Sequence, residues 1–233
     1  MTILVTGATG FIGRYVLAAL TGRGLQVFAL MRSQAKLADL RQQVDHLGGR
    51  GALVEAVAGD LDRQAGAYEA SKLEGALRVR AFAEQNALAM VEVQPATVSG
   101  HSVTGELDTA QPLYALIENL VAGRLAMVPG TPDHWLPLVS VDVLAGLIAE
   151  ASLVESVPDR LLALDRTTPN LIGLLSLLAV HLEARPPKHH MPMAAVWVRF
   201  SIMAVRVVCL PSHLNEHRPT AGFIPELKRY FNG

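Results

Sequence analysis

A short apolar strand, Ile3-Leu4-Val5, runs straight into a glycine corner, Thr6-Gly7-Ala8-Thr9-Gly10-Phe11-Ile12-Gly13. Beyond the corner the apolar residues Ile12, Val16, Leu17 and Leu20 recur at helical spacing, so the chain turns from a buried strand into a helix. Glycines at such a corner allow a tight turn, close approach of a pyrophosphate and close packing of helix on strand. The first N–H groups of the helix and its positive dipole end then face the anion. Position decides the reading: three glycines between a strand and a helix favour a dinucleotide site over a plain turn.

The spacing is G-x-x-G-x-x-G, and with it TGATGFIG resembles the extended short-chain dehydrogenase/reductase superfamily. That resemblance implies an NAD(P)-binding Rossmann sheet, with Gly7, Thr9, Gly10, Phe11, Ile12 and Gly13 around the cofactor. A second strand, Gln26 to Leu30, ends in Met31-Arg32-Ser33. In this fold an acidic residue near that point serves the ribose hydroxyls of NAD, whereas an arginine accommodates the 2′-phosphate of NADP. Arg32 therefore points to NADP, although a solvated arginine past a strand looks the same in sequence. A third strand, Ala52 to Ala58, leads into Gly59-Asp60-Leu61. Asp60 and Leu61 resemble the family's adenine-contacting pair, and Asp60 also suits a turn.

A second constellation carries the chemistry. Tyr68 and Lys72 in Tyr68-Glu69-Ala70-Ser71-Lys72 stand four residues apart, on one helix face. A phenol titrates near pH ~10, and a neighbouring ammonium lowers that value toward the range of a general acid/base. Y-x-x-x-K alone is a poor signal; behind TGATGFIG it resembles the family's catalytic pair, with Lys72 also reaching the nicotinamide ribose. Leu73, Ala76, Leu77, Val79 and Phe82 are expected on the buried side of that helix.

Leu88 to Val93 reads as a further buried strand, followed by Gln94-Pro95-Ala96-Thr97-Val98-Ser99-Gly100. In the superfamily this loop closes over the nicotinamide, so the resemblance assigns Pro95, Thr97 and Val98 to the cofactor. The run PATVSGHSVTGELD most resembles the thioester-reductase-like branch, grouped with male-sterility and fatty acyl-CoA reductase domains. Asp142 is expected to hold the start of the helix after Leu136–Val141. Farther on, Arg160 to Leu164 reads as a strand. Thr168-Pro169 starts a helix with Leu171, Leu174, Leu175, Leu178 and Leu182 on one face. His189 and His190, in a proline-rich stretch without acidic or cysteine partners, read as a solvated loop rather than a metal site.

Composition bounds the partners. The chain has 233 residues, 51% of them hydrophobic, enough for a sizeable core. A net charge of −1 gives no electrostatic case for nucleic acid. One cysteine, Cys209, precludes an internal disulfide and fits a reducing, cytoplasmic setting. No secretory leader is read, because glycines break the first apolar segment. The apolar stretch Ala194–Leu210 carries Arg199 and Arg206 and is short for a membrane span. It reads as a buried or membrane-surface helix.

The family separates its third strand from the Tyr–Lys pair by several tens of residues, whereas only 62–67 lie between Leu61 and Tyr68 here. The central strands and the usual catalytic Ser or Thr are therefore missing from this sequence. Either the molecule has more chain at this point or it is a shortened, inactive relative. The first is favoured, because a parallel sheet stripped of its centre exposes apolar faces and unpaired edges. The expected fold is α/β: one doubly wound parallel Rossmann domain over 1–233, with roughly 100–135 and 160–233 forming a small substrate lobe. The expected function is NADP-dependent oxidoreduction of a carbonyl or acyl thioester, small or carrier-bound, in a monomer or homodimer. Alternatives are a sugar-nucleotide epimerase or dehydratase, and a non-catalytic NADP-binding regulator.

Overall fold

Alternating strands and helices set up a layered α/β structure, seen here in a computed structural model that describes residues 3–58, 77, 79–125, 127–129, 133–187, 189–191 and 205–209. In chain order the strands are β1 (Ile3–Val5), β2 (Val27–Met31), β3 (Val54–Ala58), β4 (Ala89–Pro95), β5 (Thr97–Ser99), β6 (Met127–Pro129), β7 (Leu138–Ser140), β8 (Arg160–Ala163), β9 (His189–Met191) and β10 (Val205–Cys209). The helices are α1 (Phe11–Gly22), α2 (Leu37–His46), α3 (79–85), α4 (Pro112–Val121), α5 (Val141–Ala151) and α6 (Leu171–His181). Two compact units arise: 1–93, 145–161 and 204–233 form one, and 94–144 with 162–203 the other.

The first unit is built on a sheet ordered β3-β2-β1-β10-β4-β8. β1, β2 and β3 run parallel, with Ile3 opposite Val27 and Val27 opposite Val54. Their inward residues are fully buried: Ile3, Val27, Ala29 and Val54 each have 0% exposure. Helix α1 covers them with Val16, Leu17 and Leu20, also at 0%, and each such aliphatic side chain is worth roughly 1.5–3 kcal/mol of burial. Between α1 and α2 the hydroxyl of Thr21 donates to the Leu17 carbonyl at 2.7 Å and accepts from the Arg50 N–H at 3.0 Å. Arg41 on α2 donates twice to the Val54 carbonyl, tying that helix to β3. Arg23 at the end of α1 pairs with Glu150 on α5.

β10 departs from expectation. Within the stretch Ala194–Leu210, where a helix is expected, Val205–Cys209 is a strand, antiparallel to both β1 and β4. Its composition explains the difference: three of its five residues are valine, and β-branched side chains suit a pleated surface. The α/β fold with its parallel strands β1, β2 and β3 stands, and β10 is an antiparallel strand set between β1 and β4. The third strand starts at Val54 rather than Ala52, because Gly51–Leu53 form a 3₁₀ turn. In α3, Phe82 is buried as expected, whereas Leu77, ahead of residues 79–85, is 56% exposed.

The second unit holds two parallel strand pairs, β5 with β7 and β6 with β9. Leu120, Val128, Leu136, Leu171, Leu175 and Ala179 form its core. Pro112 occupies the first turn of α4, where its missing N–H costs nothing. Asn170 caps α6 by accepting from the Gly173 N–H at 2.8 Å. The α6 face is narrower than expected, since Leu182 lies past the helix end and is 42% exposed. His189 and His190 lie in β9 and not in a loop, and the His189 side chain is exposed. Among the described residues no three His, Cys, Asp or Glu side chains group as a metal site, and no helix is long and apolar enough to cross a membrane.

Candidate functional site

The glycine corner is a built turn. Gly7 has φ +65°, a conformation that a Cβ disfavours, and its carbonyl accepts from the Gly10 N–H at 2.9 Å. Gly10 is the extended residue before α1, with φ −80° and ψ 171°, and no side chain caps the helix there. The first intrahelical bond runs from the Arg14 N–H to the Gly10 carbonyl at 3.1 Å. The amides of Phe11, Ile12 and Gly13 thus belong to the helix's first turn, which lacks internal acceptors. No acidic side chain sits in that turn to compete with an anion.

Gly13 sets how close the helix comes. A Cβ there would fall 2.2 Å from the Gly7 carbonyl oxygen and 2.9 Å from the Ala8 Cα. The side chains of Phe11 and Ile12 point inward, and Phe11 packs edge-on against Tyr15 with ring centroids 5.6 Å apart. Backbone and the exposed Thr9 face outward at this corner. The arrangement fits the pyrophosphate of a dinucleotide: main-chain donors, a dipole end and no side-chain bulk.

Arg32 is exposed and follows the last residue of β2 directly. Met31 pairs with Ala58 at the end of β3, so Arg32 stands at the same sheet edge as the glycine corner. Asp60, Leu61, Tyr68 and Lys72 lie outside the described residues. Pro95, Thr97 and Val98 belong to the second unit. Pro95 ends β4 and is buried, Thr97 donates its N–H to the Pro137 carbonyl at 3.2 Å, and Val98 is 4% exposed within β5.

Sequence reasoning missed a set of polar contacts after β5. Asp142 lies in the first turn of α5, the helix start that it is expected to hold, and its carboxylate also reaches back to Ser102. It accepts from the Ser102 N–H at 2.8 Å and the Ser102 hydroxyl at 2.6 Å. Burial pushes the Asp142 carboxyl up, but the Ser102 bonds, a bond from its own backbone and the nearby His101 outweigh that and hold it below the usual carboxylate range. His101 accepts from the N–H groups of Val103 and Thr104 at 3.1 and 3.3 Å through Nδ1. A Ser and an Asp forty positions apart gave no sequence signal for this contact.

Comparison with known proteins places the fold. Residues 1–94 match the NmrA-like family. No curated protein matches the chain. Among solved structures, the chain resembles the PhqB reductase domain from Penicillium fellutanum at 16% identity and TM-score 0.55, over 70% of this chain and 66% of that one. It thus spans just under two thirds of that domain. PA4631, a nucleoside-diphosphate-sugar epimerase from Pseudomonas aeruginosa, aligns at 15% identity and TM-score 0.54, over 83% and 81% of the two chains. The human epimerase family protein SDR39U1, solved with NADPH, aligns at 16% and 0.51, over 84% of each. These likenesses show the fold, which is shared with reductase and epimerase domains.

Proposed function

We propose that this chain is an NADP-dependent oxidoreductase of a carbonyl or acyl thioester, with the dinucleotide seated on the glycine corner. The observation that carries this reading is the uncapped first turn of α1 pressed against Gly7, with Arg32 at the tip of β2. The amides of residues 11–13 would hold the pyrophosphate, and the Arg32 guanidinium the 2′-phosphate. Asp60 and Leu61 would contact the adenine, and Pro95, Thr97 and Val98 the nicotinamide side.

When bound, the reduced cofactor supplies hydride to the substrate carbon. Tyr68 then donates its phenolic proton to the substrate oxygen, and Lys72 eases that transfer by stabilising the phenolate. This chemistry requires more chain between Leu61 and Tyr68 than residues 62–67 provide. With these residues alone, the reading becomes a non-catalytic NADP binder. The likeness to PA4631 keeps a sugar-nucleotide epimerase as the enzyme alternative.

The test is a titration with NADPH and NADH followed by assays of cofactor oxidation on carbonyl and thioester substrates. Preferential NADPH binding with turnover is expected. Tyr68→Phe is expected to abolish turnover and leave NADPH affinity nearly unchanged. A Phe variant with wild-type turnover overturns the proton-donor role. NADPH binding without oxidation of the cofactor by any substrate selects the non-catalytic reading.

A further inference from the structure

Strand β10 enters the sheet from the far end of the sequence, and one buried charge marks where it lands. Glu92 is the sole charged residue of β4, and Arg206 the sole charged residue of β10. The two strands pair antiparallel with Glu92 opposite Arg206, flanked by the pairs Val91–Val207 and Val93–Val205. Glu92 is 8% exposed. Its carboxylate accepts from Arg80 on α3 at 2.7 Å and lies 3.9 Å from Arg160 at the start of β8. Its backbone N–H donates to the Asp159 carbonyl at 2.8 Å.

A carboxylate inside a sheet is weak evidence for stability, because desolvation consumes much of the Coulomb gain; its best-attested use is to select one alignment among several. Here the alternatives can be counted. A slip of two residues keeps every side chain on its face but sets Glu92 against Val208 or Ala204. A slip of one residue turns the apolar set to the other face. The valines of β10 do not distinguish these alignments, since valine repeats along the strand. The charge does.

We propose that Glu92 is the register key for the carboxyl-terminal strand: the buried carboxylate selects the alignment in which Arg206 stands across from it. Arg80 and Arg160 hold the carboxylate in place on β4, and Arg206 is the incoming counter-charge.

The test uses the full-length chain and hydrogen exchange of the Val205–Cys209 amides. Glu92→Gln and Arg206→Gln are each expected to speed exchange on the order of tenfold or more, the scale set by an uncompensated buried charge. Their double variant is expected to be no faster than either single one, the mark of a shared interaction. Arg206→Lys, which keeps the charge, is expected to retain slow exchange. Additive effects of the two substitutions overturn the proposal. So does an Arg206→Gln variant that exchanges like the parent while Arg80→Gln speeds exchange, because Glu92 then serves the α3 contact alone. If Glu92→Gln does not fold, Arg206→Gln against Arg206→Lys decides: equal exchange in those two overturns the key.

Discussion

Replacing Gly13 by alanine tests the corner at its tightest point. The new Cβ would sit 2.2 Å from the Gly7 oxygen and 2.9 Å from both the Gly7 carbonyl carbon and the Ala8 Cα. All three are main-chain atoms, so no side chain can swing aside. Ordinary contact starts near 3.4 Å, and α1 must retreat by about 1 Å, carrying Val16, Leu17 and Leu20 with it. Overpacking of this kind costs ~1–3 kcal/mol, offset by up to ~1 kcal/mol of better helix propensity. A net loss of ~1–2 kcal/mol lowers Tm by roughly 2–8 °C in a chain of this size. The same retreat moves the first-turn amides out of the 2.7–3.2 Å window of an N–H···O bond, about the range such bonds occupy. NADPH affinity is then expected to fall by at least about tenfold, the equivalent of one charge-assisted hydrogen bond. Gly146→Ala is the control. It lies in α5 with nothing within 4 Å of the added Cβ, and a gain of ~0.5–1 kcal/mol is expected. Thermal melts and dinucleotide titrations of the two variants decide the matter. A Gly13→Ala protein with the parent's Tm and affinity refutes the close-packing argument.

Arg32→Asp is expected to weaken NADPH binding by ~1.5–3 kcal/mol through loss of a charged hydrogen bond and to spare or improve NADH binding; equal affinities of the unchanged protein for the two cofactors would refute the assignment. Thr21→Val removes the acceptor of the half-buried Arg50 N–H and is expected to cost ~0.5–1.5 kcal/mol in denaturant melts, with no cost counting against the α1–α2 tie. The Asp142 carboxyl is held below its ordinary value in the folded protein, so its contribution is present above the ordinary carboxylate range and is lost as the pH falls through the folded value. Ser102→Ala should therefore shrink the acid-side loss of stability, and an unchanged pH profile would show that the Ser102 bonds do not hold the carboxyl down.

The elements legible in the sequence share one property: their partners are near in the chain or their pattern is complete within the element. β1, β2 and β3 read as buried apolar runs, and the stripe of α1 carries the 3.6-residue period by itself. Gly7, Gly10 and Gly13 were legible for the same reason, since strand, turn and helix follow one another without a gap. β10 was not. Val205–Cys209 is apolar enough for a helix or a strand, and only its pairing with Ile3–Val5 and Ala89–Val93 settles which. The Asp142–Ser102 contact failed to show for a like reason: a carboxylate near a helix start is normally its cap, and nothing local says that it turns to a loop forty residues earlier.

Glycine corner and carboxyl-terminal strand bear on one another through β1. That strand has three residues, held by β2 on one edge and β10 on the other. Val5 is its last paired residue, opposite Ala29 and Val207, and Gly7 follows two positions later. The turn therefore springs from a strand end that β10 half supports. Unpairing β10 leaves the Ile3–Val5 edge without its ladder on that side, and a three-residue strand has little else to fix its direction. A change at Glu92, which touches no cofactor in the proposed reading, should then loosen dinucleotide binding through β10 and β1. Loss at Arg32 should act on the 2′-phosphate alone. Affinity for NADH separates the two: it falls when the strand is loosened and holds when only the phosphate contact is removed.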